Sequence, residues 1–238
     1  MHQIAAILRR ELAGYFGQPL AYIALTIFFV LFQVQVLLTQ NVFEAGVASM
    51  RVPFFWMGVA LLFLVPALTM RLIAEEARTG SLELISTLPI TPTELVLGKW
   101  LASVGMVAVA LLLTAAYPIA FATLASIDMY AVIAGYVGML LMGSAFAAVG
   151  IAASALTRYQ VLAFLLTFAV LSLPFIIGFA LDTVDLSYLS FVQYLSFEYH
   201  FSNLARGVLD SRSFIFFGGI SVIALRSAVL VLQAKRLG

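Results

Sequence analysis

The stretch WLASVGMVAVALLLTAAYPIAFATLASIDMYAVIAGYVGMLLMGSAFAAVGIAASALT, residues 100–157, holds a single charged side chain, Asp128. On either side of that acid the chain is uncharged, over 100–127 and over 129–157. A helix needs about 20 apolar residues to cross the hydrocarbon of a bilayer. Each half is long enough to span, with Asp128 between them. Outward from this pair the pattern repeats. Residues 12–43, 52–70 and 159–181 carry no Asp, Glu, Lys or Arg, and 213–234 carries only Arg226. These runs predict six spans, near 20–38, 54–73, 97–124, 131–156, 161–181 and 214–232. Pro66, Pro118 and Pro174 fall inside them, and spanning helices tolerate proline because neighbours satisfy the freed carbonyls.

Composition agrees. The chain has 238 residues, 64% hydrophobic and 10% charged, with a mean hydropathy of +1.13. Soluble domains average about 45–50% apolar and about 25% charged residues. The gap excludes an ordinary soluble domain, a disordered chain and a nucleic-acid binder. Six spans of about 20 residues use about half the chain, which leaves loops and no second domain, so residues 1–238 read as one all-α, polytopic membrane unit. The net charge of +1 points to no anionic partner, and the absence of cysteine removes disulfides, thiolate metal sites and Cys nucleophiles.

Before the first span, Ile4, Leu8, Leu12 and Tyr15 recur at helical spacing, with Arg9 and Arg10 off the stripe. Residues 1–19 therefore predict an amphipathic helix lying in the membrane interface, ended by Gly17 and Pro19. The segment is too long and amphipathic for a cleaved leader, and no small-residue cleavage site follows the first apolar run. With a cytoplasmic N-terminus, the inner side holds Arg9, Arg10, Arg71, Arg78, Lys99, Arg158, Lys235 and Arg236, and the outer side holds Arg51, Arg206 and Arg212. Cytoplasmic loops are enriched in Lys and Arg, so both termini are expected inside. Arg226 is expected near the inner end of the last span, where it could snorkel or serve as a buried charge.

Two loops have substance. The inner one, 74–96, is the more informative. Arg71 and Glu75, and Glu75 and Arg78, are spaced for local ion pairs on a helix continuing out of the second span, with Gly80 as its C-cap. A short helix then fits 81–88, with Glu83 in its first turn, Leu84, Ile85 and Leu88 on one face, and Leu82 beside them. Pro89 stops it. Thr91, Pro92 and Glu94 form a capping box that starts the third span. A short, capped, partly apolar helix between spans suits either a turn resting on the bilayer or a knob for a groove on a cytoplasmic protein.

Four segments carry a resemblance: ILRRELAGYFGQPLAYI (7–23), RLIAEEARTGSLELISTLPITPTELVLGKW (71–100), SALTRYQ (154–160) and FEYHFSNLARGVLDSRSFIFF (197–217). In this order the chain resembles the integral-membrane permeases of ABC-2-type transporters, and is similar within them to the gliding-motility-type (GldF-like) permeases. The resemblance implies a subunit of the bacterial inner membrane that pairs with a second permease chain, identical or related. It also implies docking onto two ATP-binding subunits, which handle ATP and Mg. The residues matching the ATPase-coupling region are Glu75, Glu76, Gly80, Ser81, Leu82, Glu83, Leu84 and Ile85, with Leu88 closing the same helix. An export function follows from the same likeness, as does an additional membrane or periplasmic subunit in some assemblies.

The chain is not expected to be an enzyme by itself. Gly98-Lys99 is its one Gly-Lys pair. A phosphate loop needs Gly where Thr93 stands and Ser or Thr where Trp100 stands, so Lys99 reads as an inner-surface anchor.

The outer loop, 182–212, is aromatic. Tyr188, Phe191, Val192, Leu195 and Tyr199 follow helical spacing, as in a helix resting on or dipping into the outer leaflet. The resemblance implies short re-entrant helices there that gate the outer mouth; the residues alone equally suit an aromatic anchor. His200, with Asp185, Glu198 and Asp210, is better read as a loop cap than as a metal site, since no ligand pattern repeats. In the fourth span Ser144, Ala148, Ala152 and Ala155, flanked by Gly143 and Ala147, form a small-residue face for close helix approach, either within the bundle or at a permease dimer seam. Two alternatives to transport stand: an ATPase-coupled, force-transmitting subunit for motility or envelope machinery, and a membrane scaffold or intramembrane lipid enzyme. The spans offer no base–nucleophile pair for the enzyme. No residue names the substrate.

Overall fold

The computed structural model describes residues 2–38, 50–83, 89–124, 128–183, 196, 197, 199–201 and 210–237. Among these every regular element is a helix: α1 His2–Phe16, α2 Pro19–Leu38, α3 Arg51–Thr69, α4 Ala74–Thr79, α5 Pro92–Leu113, α6 Ala116–Leu124, α7 Met129–Leu156, α8 Gln160–Thr183 and α9 Ser211–Leu237. Five stretches are long and apolar enough to cross a membrane: 19–36, 51–79, 92–122, 129–156 and 211–235. The apolar part of α8 over Gln160–Ile176 is shorter, although its backbone is helical for 24 residues. The protein is an α-helical membrane protein.

α7 is the central helix, packed by α9, α5, α3 and α8. Its small residues set the register. A side chain at Gly135 would overlap the Phe54 ring, and one at Gly150 would overlap the Thr69 hydroxyl. So α3 and α7 run in the same direction. A Cβ at Gly143 would lie 2.6 Å from Val107 Cγ1, while Trp100 Nε1 donates to the Ser144 carbonyl at 2.9 Å and Thr114 Oγ1 pairs with Tyr136 Oη at 3.1 Å. So α5 runs antiparallel to α7. Lys235 Nζ donates to the Ala155 carbonyl at 2.7 Å, which joins the last turns of α9 and α7. Ala147, Ala148 and Ala155 are buried, and Ser144 and Ala152 of the same small-residue face are half-buried.

Two predicted spans differ from their sequence reading. The helix expected to run from the second span into the loop stops at Thr69, turns over 70–73 and restarts as α4. Ser154 of α7 holds that break: its Oγ accepts from the Ile73 and Ala74 amides at 3.1 and 3.0 Å and donates to the Met70 carbonyl at 3.0 Å. The third span breaks at Thr114 and Ala115 into α5 and α6. Pro118 explains this, since a proline ring clashes with the carbonyl four residues earlier, here that of Thr114.

Candidate functional site

The amphipathic stripe of α1 exists, but it faces protein. α1 packs along α5, and Ile7 and Tyr15 are buried. A Cβ at Gly98 would stand 2.7 Å from Ile7 Cγ2, so glycine there lets the two helices approach. Tyr15 Oη donates to the Leu68 carbonyl at 3.0 Å and pairs with Ser103 Oγ at 3.4 Å, so one hydroxyl ties α1 to α3 and α5. Burial pushes the Tyr15 pKa well up, against the Ser103 hydrogen bond and the Arg71 charge. The predicted Arg71–Glu75 and Glu75–Arg78 pairs are not made among the described residues; Arg71 instead lies over the Tyr15 ring, 5.0 Å from its centroid.

Beside this joint sits a charge cluster. Lys99 is not a surface anchor, as its 1% side-chain exposure shows. Its Nζ donates to Glu11 Oε1 at 3.0 Å, to Glu76 Oε1 at 2.8 Å and to the Leu72 carbonyl at 2.7 Å. All three ammonium protons are used. Arg10 Nη2 closes the set from outside, at 2.6 Å from Glu11 and 3.2 Å from Glu76. Two cations and two carboxylates balance. Burial raises the Glu11 pKa, but the Lys99 charge, the hydrogen bonds from Arg10 and Lys99 and the Arg10 charge outweigh it and hold the carboxyl below its ordinary value. Glu76 Oε2 is buried and has no partner among the described residues. Three elements distant in sequence, α1, α4 and α5, thus meet on one ammonium group.

Of the residues expected to couple to an ATPase, Glu76 belongs to this cluster and Glu75 lies beside it in the first turn of α4, where the helix dipole favours acids. Gly80 caps α4 in the left-handed region at φ 74°, a conformation that costs an L side chain about 1–2 kcal/mol. Ser81, Leu82 and Glu83 resume helix. Leu84, Ile85 and Leu88 lie outside the described residues. The Thr91–Glu94 capping box is complete, with Pro92 at its expected place.

At the opposite end of the bundle, the described part of the outer loop enters the core. Ser196, Phe197, His200 and Phe201 are buried. The Phe197 ring lies 5.0 Å from Phe146 of α7, with Phe175, Phe216 and Phe217 around it. His200 stacks on Phe216 at 4.0 Å, and Ser213 Oγ donates to its carbonyl at 3.0 Å. Tyr188, Phe191, Val192, Leu195, Asp185 and Glu198 lie outside the described residues.

The arrangement offers a mechanical linkage: a charge-balanced cluster around the buried Lys99 that joins three helices at one end, and an aromatic insertion at the other. No protein-family model matches this sequence, and no curated protein matches it.

Proposed function

We propose that this chain is the permease subunit of an ATP-driven ABC-2-type transporter in the bacterial inner membrane. In this reading it has six spans: α2, α3, α5 with α6, α7, α8 and α9. The Lys99 end and both termini are cytoplasmic, and the chain pairs with a second permease chain and two ATPase subunits. The observation that carries the reading is the Lys99 cluster. A force on the segment 75–88 reaches Glu76, and from there Lys99 and Glu11 pass it to α5 and α1 without slack, because a buried charge separated from its partners is costly. ATP binding in the partner subunits would displace α1, α4 and α5 together and open a path at the permease seam, with export as its direction. Lys99 is fully engaged by protein groups, so it is not free to hold a phosphate, which fits a motor on other chains.

The test is purification of the tagged chain from its host in mild detergent, beside the Leu84→Asp/Ile85→Asp double variant. A stoichiometric P-loop ATPase with the natural chain, lost from the correctly inserted variant, is the expected result. An ATPase retained by the variant sinks the assignment of 81–88; none with either chain sinks the permease reading. Substrate flux in vesicles containing the complex then separates transport from force transmission, which would show ATP turnover without flux.

A further inference from the structure

α9 places a charge where a bilayer cannot satisfy it. Arg226 lies between Arg212 and Lys235. At about 1.5 Å per residue its Cα stands about 21 Å from that of Arg212 and about 13 Å from that of Lys235. It is thus about 4 Å from the midpoint of the apolar stretch, on the Lys235 side of it. Side chains on a helix tilt toward its N-terminus, so the stem of Arg226 leaves the backbone away from the nearer, Lys235 end. Snorkelling to that interface requires the side chain to double back.

Arg226 also faces out of the bundle. It makes no ion pair or hydrogen bond among the described residues. Its neighbours on the same face are Val222, Ile223 and Leu230, exposed by 59%, 72% and 63%. Large aliphatic side chains around the guanidinium are the wrong lining for a water-filled path. Two turns toward Arg212, Gly218 and Gly219 leave open space where side chains would stand, a notch that lets another helix approach closely. Intramembrane arginines pair with acids or line cavities, and the described residues supply neither to Arg226.

We infer that this face of α9 binds a membrane-spanning helix of a different polypeptide, one that carries an Asp or Glu at mid-membrane depth. A second copy of the chain does not fit. Its uncharged runs hold no Asp or Glu, and a two-fold contact on this face would set Arg226 against Arg226. The inference rests on α9 crossing the membrane and not on ATPase coupling, so either can fail alone.

The test places a photo-crosslinking amino acid at Val222 and, separately, at Leu230 in the full chain in its host membrane. Expected is a cross-link to one other membrane protein with a carboxylate in its span. The adduct should fall at least tenfold with Arg226→Leu, persist with Arg226→Lys, and fall equally when the partner's acid becomes its amide. Exchanging the two charges between the chains should restore it. Adducts only with lipid, only with another copy of this chain, or with a protein lacking an intramembrane acid overturn the inference. So does an adduct that Arg226→Leu leaves unchanged. Because Arg226→Leu removes a charge from an outward face, the monomer should insert and fold as before, and its elution in detergent checks this.

Discussion

Lys99 shows how one residue can hold three helices. Its ammonium has exchanged water for two carboxylates and a carbonyl. Removing the buried ammonium leaves two carboxylates facing the single charge of Arg10, and breaking a buried ion pair by removing one partner costs about 3–5 kcal/mol. Lys99→Met should therefore lower the stability of the detergent-solubilised protein by about that amount, read from chemical unfolding; a change under about 1 kcal/mol would mean that the cluster is solvated. The cluster also predicts a pH response. Glu11 has a lower pKa folded than unfolded, so the folded state binds fewer protons. Its contribution is complete above the ordinary value of 4.5 and disappears as pH falls through the folded value. The thermal midpoint of the natural protein should fall more steeply below pH 4.5 than that of Glu11→Gln; parallel curves would remove Glu11 from the account. None of this was legible in the sequence. Lys99 lies 88 positions from Glu11 and 23 from Glu76, and no local pattern encodes pairings at such separations. The spacing of Arg71, Glu75 and Arg78 suggested pairs that tertiary contacts replaced, because the Tyr15 ring holds Arg71 elsewhere.

Elements were legible where their signals are local. The capping box at Thr91 and Glu94, the left-handed cap at Gly80 and the turn at Gly17 and Pro19 depend on neighbours in sequence and stand where the residues put them. The ends of α3 and α5 were not legible in the same way. One depends on Ser154 from another helix, and the other on a carbonyl four residues before Pro118. The amphipathic stripe of α1 was correct, but periodicity alone does not distinguish a lipid surface from a protein one. The distinguishing residue is Gly98, whose missing side chain is occupied by Ile7. Gly98→Val should force α1 from its groove while the spans stay folded. Arg9 and Arg10, both exposed, would then be cleaved by trypsin several times faster than in the natural protein. An unchanged digestion pattern would show that α1 is held by the membrane and not by α5.

For the whole molecule, uncharged runs announced the bundle, and the remaining question is how many times the chain crosses. The ends of α7 and α9 meet where Lys235 bonds to the Ala155 carbonyl, and both helices run toward that end. A chain that leaves α7 there and enters α9 at the other end has to return between them, and α8 is the helix in position to do so. Its 24 residues reach about 36 Å, more than the roughly 30 Å of hydrocarbon. The absence of cysteine makes this testable with single introduced thiols. Arg158→Cys and Asp182→Cys should react with a membrane-impermeant maleimide from opposite faces: the first only in inverted vesicles, the second only in intact spheroplasts. Asp128→Cys should follow Asp182→Cys, because α7 crosses in the other direction. If Arg158→Cys and Asp182→Cys label from the same face, α8 does not cross, the count falls to five and the two termini lie on opposite sides. The Lys235–Ala155 contact would then be impossible, so one labelling pattern tests the span count and the packing of α9 on α7 together.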